Sequence, residues 1–136
     1  MSVSLTKNSR IFVAGHRGLV GSAILRKLKA DGYDNIVLRT RSELDLLDQV
    51  GVHEFFRKAQ IDAVYLAAAK VGGILANNSF QADFLYENLM LATNVIHAAA
   101  QHGVDAATVR EIIARAGGLE GEIGDIAEHA VKPGGI

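Results

Sequence analysis

The sequence contains no cysteine, which excludes a disulfide scaffold and any cysteine-ligated metal. It has no apolar run near the ~20 residues that cross a bilayer. Neither charge sign dominates: 14 Lys and Arg stand against 15 Asp and Glu, for a net charge of −1. That balance offers no electrostatic basis for binding nucleic acid or an acidic membrane surface. Residues 1–9 lack the apolar core of a secretory signal, so the expectation is a cytoplasmic protein. His16, His53, His97, His102 and His129 are scattered without metal-ligand spacing, and no metal site is expected. There is no internal repeat and no low-complexity segment. What remains is a chain of 136 residues, 49% hydrophobic and 21% charged, with the composition of one globular domain.

The stretch from Arg10 to Gly21 carries the most information. An apolar strand, Ile11-Phe12-Val13-Ala14, runs into Gly15-His16-Arg17-Gly18-Leu19-Val20-Gly21, and an amphipathic helix follows. Three glycines at this spacing between strand and helix are how a chain holds a dinucleotide pyrophosphate. The first permits the tight turn, the second lets backbone approach the phosphates, and the third lets the helix pack on the sheet. The anion then rests on free N–H groups at a helix N-terminus. The bland alternative is a strand-turn-helix glycine cluster with no ligand.

Periodicity places a strand over 10–14 and a helix over 19–30, with Val20, Ile24 and Leu28 on one face. A strand is expected over 35–39. Leu44 to Leu47 reads as an edge strand or a loop. Asp48 looks like the N-cap of a helix over 49–58, and the continuous apolar run 62–68 reads as a parallel strand covered on both faces. A loop with Gly72 and Gly73 leads to a long helix over 81–102, closed by Gly103. This order predicts an α/β fold: a Rossmann-like, doubly wound parallel sheet, incomplete, with a helical C-terminal tail. Residues 1–104 form the nucleotide-binding domain and 105–136 a glycine-rich tail. In the tail, 108–115 and 124–131 read as helices and no strand is expected. The last sheet strand would then be an exposed apolar edge, which predicts a homo-oligomer unless the tail covers it.

An acidic residue after the second strand usually takes the ribose hydroxyls of NAD. Arg39-Thr40-Arg41 stands there instead. Guanidinium groups suit a 2′-phosphate, and Arg17 approaches it from the glycine turn, so NADP(H) is favoured over NAD. Asp45 and Leu46 come next along the chain, where an adenine edge lies. Ala67, Ala68 and Ala69 end a strand on the same side, and their small side chains let a cofactor lie flat. The alternatives are solvated surface charge for the arginines and simple packing for the alanines. His16, in the glycine loop, is within reach of phosphate.

The segments at 15–24, 37–48 and 64–74, with Asn77 to Phe84 and Asn94 to Ala99, resemble the GDP-L-fucose synthase family of extended short-chain dehydrogenase/reductases. The resemblance covers about residues 9–104 and includes the run Ala67-Ala68-Ala69-Lys70-Val71-Gly72-Gly73. It implies NADPH-dependent epimerisation and reduction of a GDP-sugar, GDP-4-keto-6-deoxy-D-mannose. It implies that Gly15 to Gly21 hold the pyrophosphate, Arg17 and Arg41 the 2′-phosphate, Asp45 and Leu46 the adenine, and the three alanines the cofactor. Lys70 to Gly73 would lie near the nicotinamide and substrate.

The chain departs from that family after Val104. The expected fifth strand leading to a catalytic Ser is replaced by Asp105-Ala106-Ala107-Thr108. No Tyr-x-x-x-Lys occurs: Tyr33, Tyr65 and Tyr86 are followed four residues on by Val37, Ala69 and Met90. Hydride transfer to a ketone needs an acid for the developing alkoxide, and none is evident, so no catalytic residue is assigned. Three readings stay open: a nucleotide-binding part that does not turn over alone, an enzyme completed by another chain or by its tail, and a truncated or chimeric product without activity.

Overall fold

The computed structural model describes residues 5–68, 74–104 and 109–111. Its elements are β1 (Ile11–Ala14), α1 (Leu19–Ala30), β2 (Ile36–Val37), α2 (Gln49–Ala59), β3 (Ala63–Leu66), α3 (Ile74–Gln101) and β4 (Val109–Glu111). The four strands form one parallel sheet in the order β2-β1-β3-β4. β1 pairs along its whole length with β3, from Ile11 opposite Ala63 to Ala14 opposite Leu66.

Both central strands read as unbroken apolar runs because both of their faces are covered. Alternation divides their side chains between two cores. Phe12, Ala14, Val64 and Leu66 join Val52 and Phe56 of α2 and Leu91, Val95, Ala98 and Ala99 of α3. Ile11, Val13, Ala63 and Tyr65 join Val20, Ile24 and Leu28 of α1 on the other face. Phe12 meets Phe55 at 4.6 Å and the edge of Phe56 at 6.0 Å between ring centroids. Each such fully buried aromatic or aliphatic side chain contributes about 1.5–3 kcal/mol of transfer free energy. With α1 on one face and α2 and α3 on the other, this is the doubly wound, Rossmann-like sheet expected.

The helices stop where the sequence changes. The chain leaves α1 through Gly32 at φ +90°, where the Tyr33 N–H returns to the Leu28 carbonyl at 3.0 Å. Gly103, also at φ +90°, closes α3, and the Val104 N–H returns to Ala99 at 2.9 Å. α2 begins after Asp48, as the N-cap reading predicts, but the Asp48 side chain makes no capping hydrogen bond.

Several boundaries differ from expectation. β2 is only two residues long, Ile36 and Val37, paired with Ile11 and Phe12 of its single neighbour β1. Of the two readings of Leu44 to Leu47 the loop is the one found, with a turn at Leu46 and Leu47 and with Leu44, Leu46 and Leu47 resting on the α2–α3 core. α3 starts at Ile74, seven residues earlier than the periodicity suggests. The largest correction is β4. Residues 109–111 sit within the expected 108–115 helix, yet they pair in parallel with β3, Val64 opposite Val109 and Leu66 opposite Glu111. A vacant strand edge offers these residues a ladder of backbone partners, which outweighs a weak local helical preference. β3 is therefore paired on both sides, and the exposed-edge basis for an oligomer falls away. The loop at Gly72–Gly73, the rest of the expected 108–115 helix, and the expected 124–131 helix lie outside the described residues. Among the described residues no helix is long and apolar enough to cross a membrane.

Candidate functional site

The glycine turn leaves the carboxyl end of β1. Gly15 has φ +87°, where an L side chain is strained. A Cβ there would lie 2.5 Å from the Ala67 carbonyl oxygen, so the absent side chain is what lets the turn pack on the end of β3. Gly21, one turn into α1, faces inward: a Cβ on it would collide with the Gly15 carbonyl. Gly18 differs. Its hypothetical Cβ meets only the Gly15 oxygen, at an ordinary 3.4 Å, so the fold does not require glycine there. Its bare backbone faces outward. Gly18 is also the N-cap of α1, with no side-chain capping bond and no acidic residue in the first turn. The positive end of the helix dipole is left without a side-chain anion.

Beside this turn lies a cavity of about 370 Å³. Phe12, Ala14, Ala67 and Ala68 line it from the strand ends, and Gly15, His16, Arg17 and Gly18 from the glycine turn. Arg39, Thr40, Arg41 and Leu44 to Leu47 contribute from the connection after β2, and Glu87 and Leu91 from α3. It opens at the carboxyl ends of parallel strands, where ligands of such sheets bind.

Arg17 and Arg41 are exposed, whereas Arg39 is half-buried. The Arg39 guanidinium donates to the Leu38 carbonyl at 2.8 Å and lies 5.3 Å above the Phe55 ring. The Thr40 N–H donates to the Glu43 carboxylate at 2.8 Å. That bond, the Thr40 hydroxyl, and the charges of Arg39 and Arg17 hold the Glu43 carboxyl below its ordinary 4.5. The Asp45 carboxylate accepts the Leu47 N–H at 3.0 Å. From α3, the Asn94 amide donates to the Leu46 carbonyl at 2.9 Å. His16 Nδ1 is buried and has no hydrogen-bond partner.

Of the residues singled out in the sequence, Gly15, His16, Arg17, Gly18, Arg39, Arg41, Asp45, Leu46, Ala67 and Ala68 come together around this one cavity. Leu19 opens α1 with its side chain largely in solvent, and Val20 is packed into the α1 core. Gly21 sits beneath the turn, and Ala69 lies outside the described residues. Sequence reasoning missed Phe12, Ala14, Leu44, Leu47, Glu87 and Leu91. Glu87 and Leu91 share one face of α3 at an i, i+4 spacing. That helix was legible, but not which of its faces meets the strand ends.

A profile of the NAD dependent epimerase/dehydratase family matches residues 11–114. GDP-L-fucose synthase from Escherichia coli is 60% identical over 96 residues, covering 71% of this chain and 30% of that protein. Among solved structures, a GDP-mannoheptose C4 reductase from Campylobacter jejuni with NADP bound superposes with TM-score 0.70 and 43% identity, over 74% of this chain and 32% of that one. A GDP-L-fucose synthetase from Naegleria fowleri bound to NADP gives TM-score 0.63 and 28% identity, over 75% and 31%. The chain thus spans about 30% of the length of curated relatives such as the Escherichia coli enzyme. It belongs to the NAD dependent epimerase/dehydratase family.

Proposed function

We propose that this member of the family is the NADP(H)-binding part of a sugar-nucleotide reductase like its GDP-L-fucose synthase relatives. The observation that carries the reading is one cavity lined by two exposed arginines, Arg17 and Arg41, beside an uncapped helix N-terminus. Its volume falls within the ~300–1,000 Å³ of small-molecule sites. The partnerless Nδ1 of His16 and the open backbone of Gly18 suit a phosphate-bearing ligand.

In this reading the backbone from Gly15 to Gly21, with the N–H groups of Leu19 and Val20, takes the pyrophosphate. Arg17 and Arg41 take the 2′-phosphate. Asp45 and Leu46 border the adenine, and Ala67 to Ala69 leave room for the cofactor across the strand ends. Bound NADPH supplies a hydride. The substrate class is a GDP-linked keto sugar such as GDP-4-keto-6-deoxy-D-mannose. With no Tyr-x-x-x-Lys in the sequence, residues 1–104 bind the nucleotide in the cytoplasm, and reduction requires an acid from elsewhere.

The test is a fluorescence titration of the chain with NADPH and with NADH, repeated on Arg41→Ala. Tighter binding of NADPH, lost in the variant, supports the reading. No binding of either nucleotide overturns it.

A further inference from the structure

We infer that Asn94, on α3 and outside the glycine motif, is a positioning residue for the adenosine side of the nucleotide site. The inference rests on the nucleotide-binding proposal and adds a determinant to it.

Among the described residues Asn94 is the one buried side chain that is neither apolar nor aromatic, 5% exposed. A buried amide is retained at the cost of desolvation, so its partner matters. That partner is the Leu46 carbonyl, 2.9 Å away and 48 residues earlier. Leu46 stands between Asp45 and Leu47, all three on the cavity wall. This wall has little regular structure of its own, since β2 ends at Val37 and α2 starts at Gln49. Much of its hydrogen bonding closes the loop on itself: Thr40 N–H to Glu43, Asp48 N–H to the Asp45 carbonyl, and Leu47 N–H to the Asp45 carboxylate. Such bonds hold the shape of the loop but not its distance from the sheet. The Asn94 bond ties the loop to α3, whose neighbouring Leu91 and Val95 are buried against the sheet. Leu91 also lines the cavity, so one helix face both closes the site and anchors its opposite wall.

Asn94→Leu keeps the branching and heavy-atom count of the side chain, removes the donor, and leaves the Leu46 carbonyl without that partner. The probes are adenosine 2′,5′-bisphosphate, which needs the Asp45–Leu47 wall, and inorganic pyrophosphate, which needs only the glycine turn. A lost hydrogen bond predicts about a tenfold weaker affinity for the bisphosphate. Affinity for pyrophosphate changes less than about twofold, since additivity isolates distant sites. Equal losses for both probes, or no loss for either, overturn the inference.

A second measurement needs no variant. In the wild-type chain the Asn94 side-chain amide resonance should shift on adding the bisphosphate and stay in place with pyrophosphate. An unmoved resonance at saturating bisphosphate counts against the inference even if Asn94→Leu does not fold. Failure of the wild-type chain to bind the bisphosphate overturns the nucleotide reading itself, whereas binding with an indifferent Asn94 overturns only the positioning role of that residue.

Discussion

Gly21 lies so close beneath Gly15 that a Cβ on Gly21 would overlap the Gly15 carbonyl. The third glycine of the motif is thus buried support for the first. The three glycines separate by stability and by ligand. Gly21→Ala must push α1 away from the turn and should cost at least about 2 kcal/mol in chemical denaturation. Gly18→Ala, with φ −75° and only one ordinary contact, should cost about 1 kcal/mol or less, the usual range for a cap residue. It should nevertheless weaken NADPH binding, because the added methyl projects on the outer side of the turn. A destabilised Gly18→Ala with normal affinity would contradict this division.

Arg41 and Arg17 are exposed, so Arg41→Ala and Arg17→Ala should leave the thermal midpoint nearly unchanged. Charge-assisted bonds to phosphate are worth ~1.5–3 kcal/mol, which predicts roughly 10- to 100-fold weaker NADPH binding with NADH binding little altered. Arg39 is engaged with the Leu38 carbonyl and the Phe55 ring. Arg39→Ala should therefore lower stability as well as affinity, and parallel melting and titration curves check the contrast.

The Glu43 carboxyl is held below 4.5, first by the Thr40 N–H and hydroxyl and then by Arg39 and Arg17. A depressed carboxylate contributes its stabilisation above the unfolded-state pKa and loses it as pH falls through the folded-state value. The loop around Thr40 should stay ordered at neutral pH and loosen only in acid below 4.5. A carbon-detected titration of the Glu43 carboxyl should show a midpoint under 4.5, still depressed in Arg17→Ala because the charge of Arg17 is the smallest cause. A midpoint above 4.5 would remove Glu43 from the loop's support.

β4 shields β3. A chain ending at Val104 would leave the outer edge of β3 unpaired, and apolar parallel edges recruit other chains. Sedimentation velocity should show the shortened chain associating at lower concentration than the full chain. Amide exchange in Val64 to Leu66 should be faster in the shortened chain. Unchanged exchange would mean that β4 does not protect the strand.

Much of this molecule was legible beforehand for a physical reason. α1 has the same bounds in sequence and structure, Leu19 to Ala30, because a helical apolar period is bracketed by glycines at 18 and 32. The central strands were legible because unbroken apolar runs are incompatible with an exposed face. The residues singled out in the sequence that line the cavity follow from the same logic: glycine spacing and strand ends place them on the carboxyl side of the sheet.

The sequence by itself determined the alternation of strands and helices, the glycine turn and the arginines beside it, since periodicity and backbone sterics act over a few residues. Only the tertiary structure decided that 109–111 become a strand, because a β-ladder exists only when a partner edge is present. Only it placed Glu87 and Leu91 at the cavity and joined Asn94 to Leu46, because helix rotation against a sheet is settled by packing across the whole core.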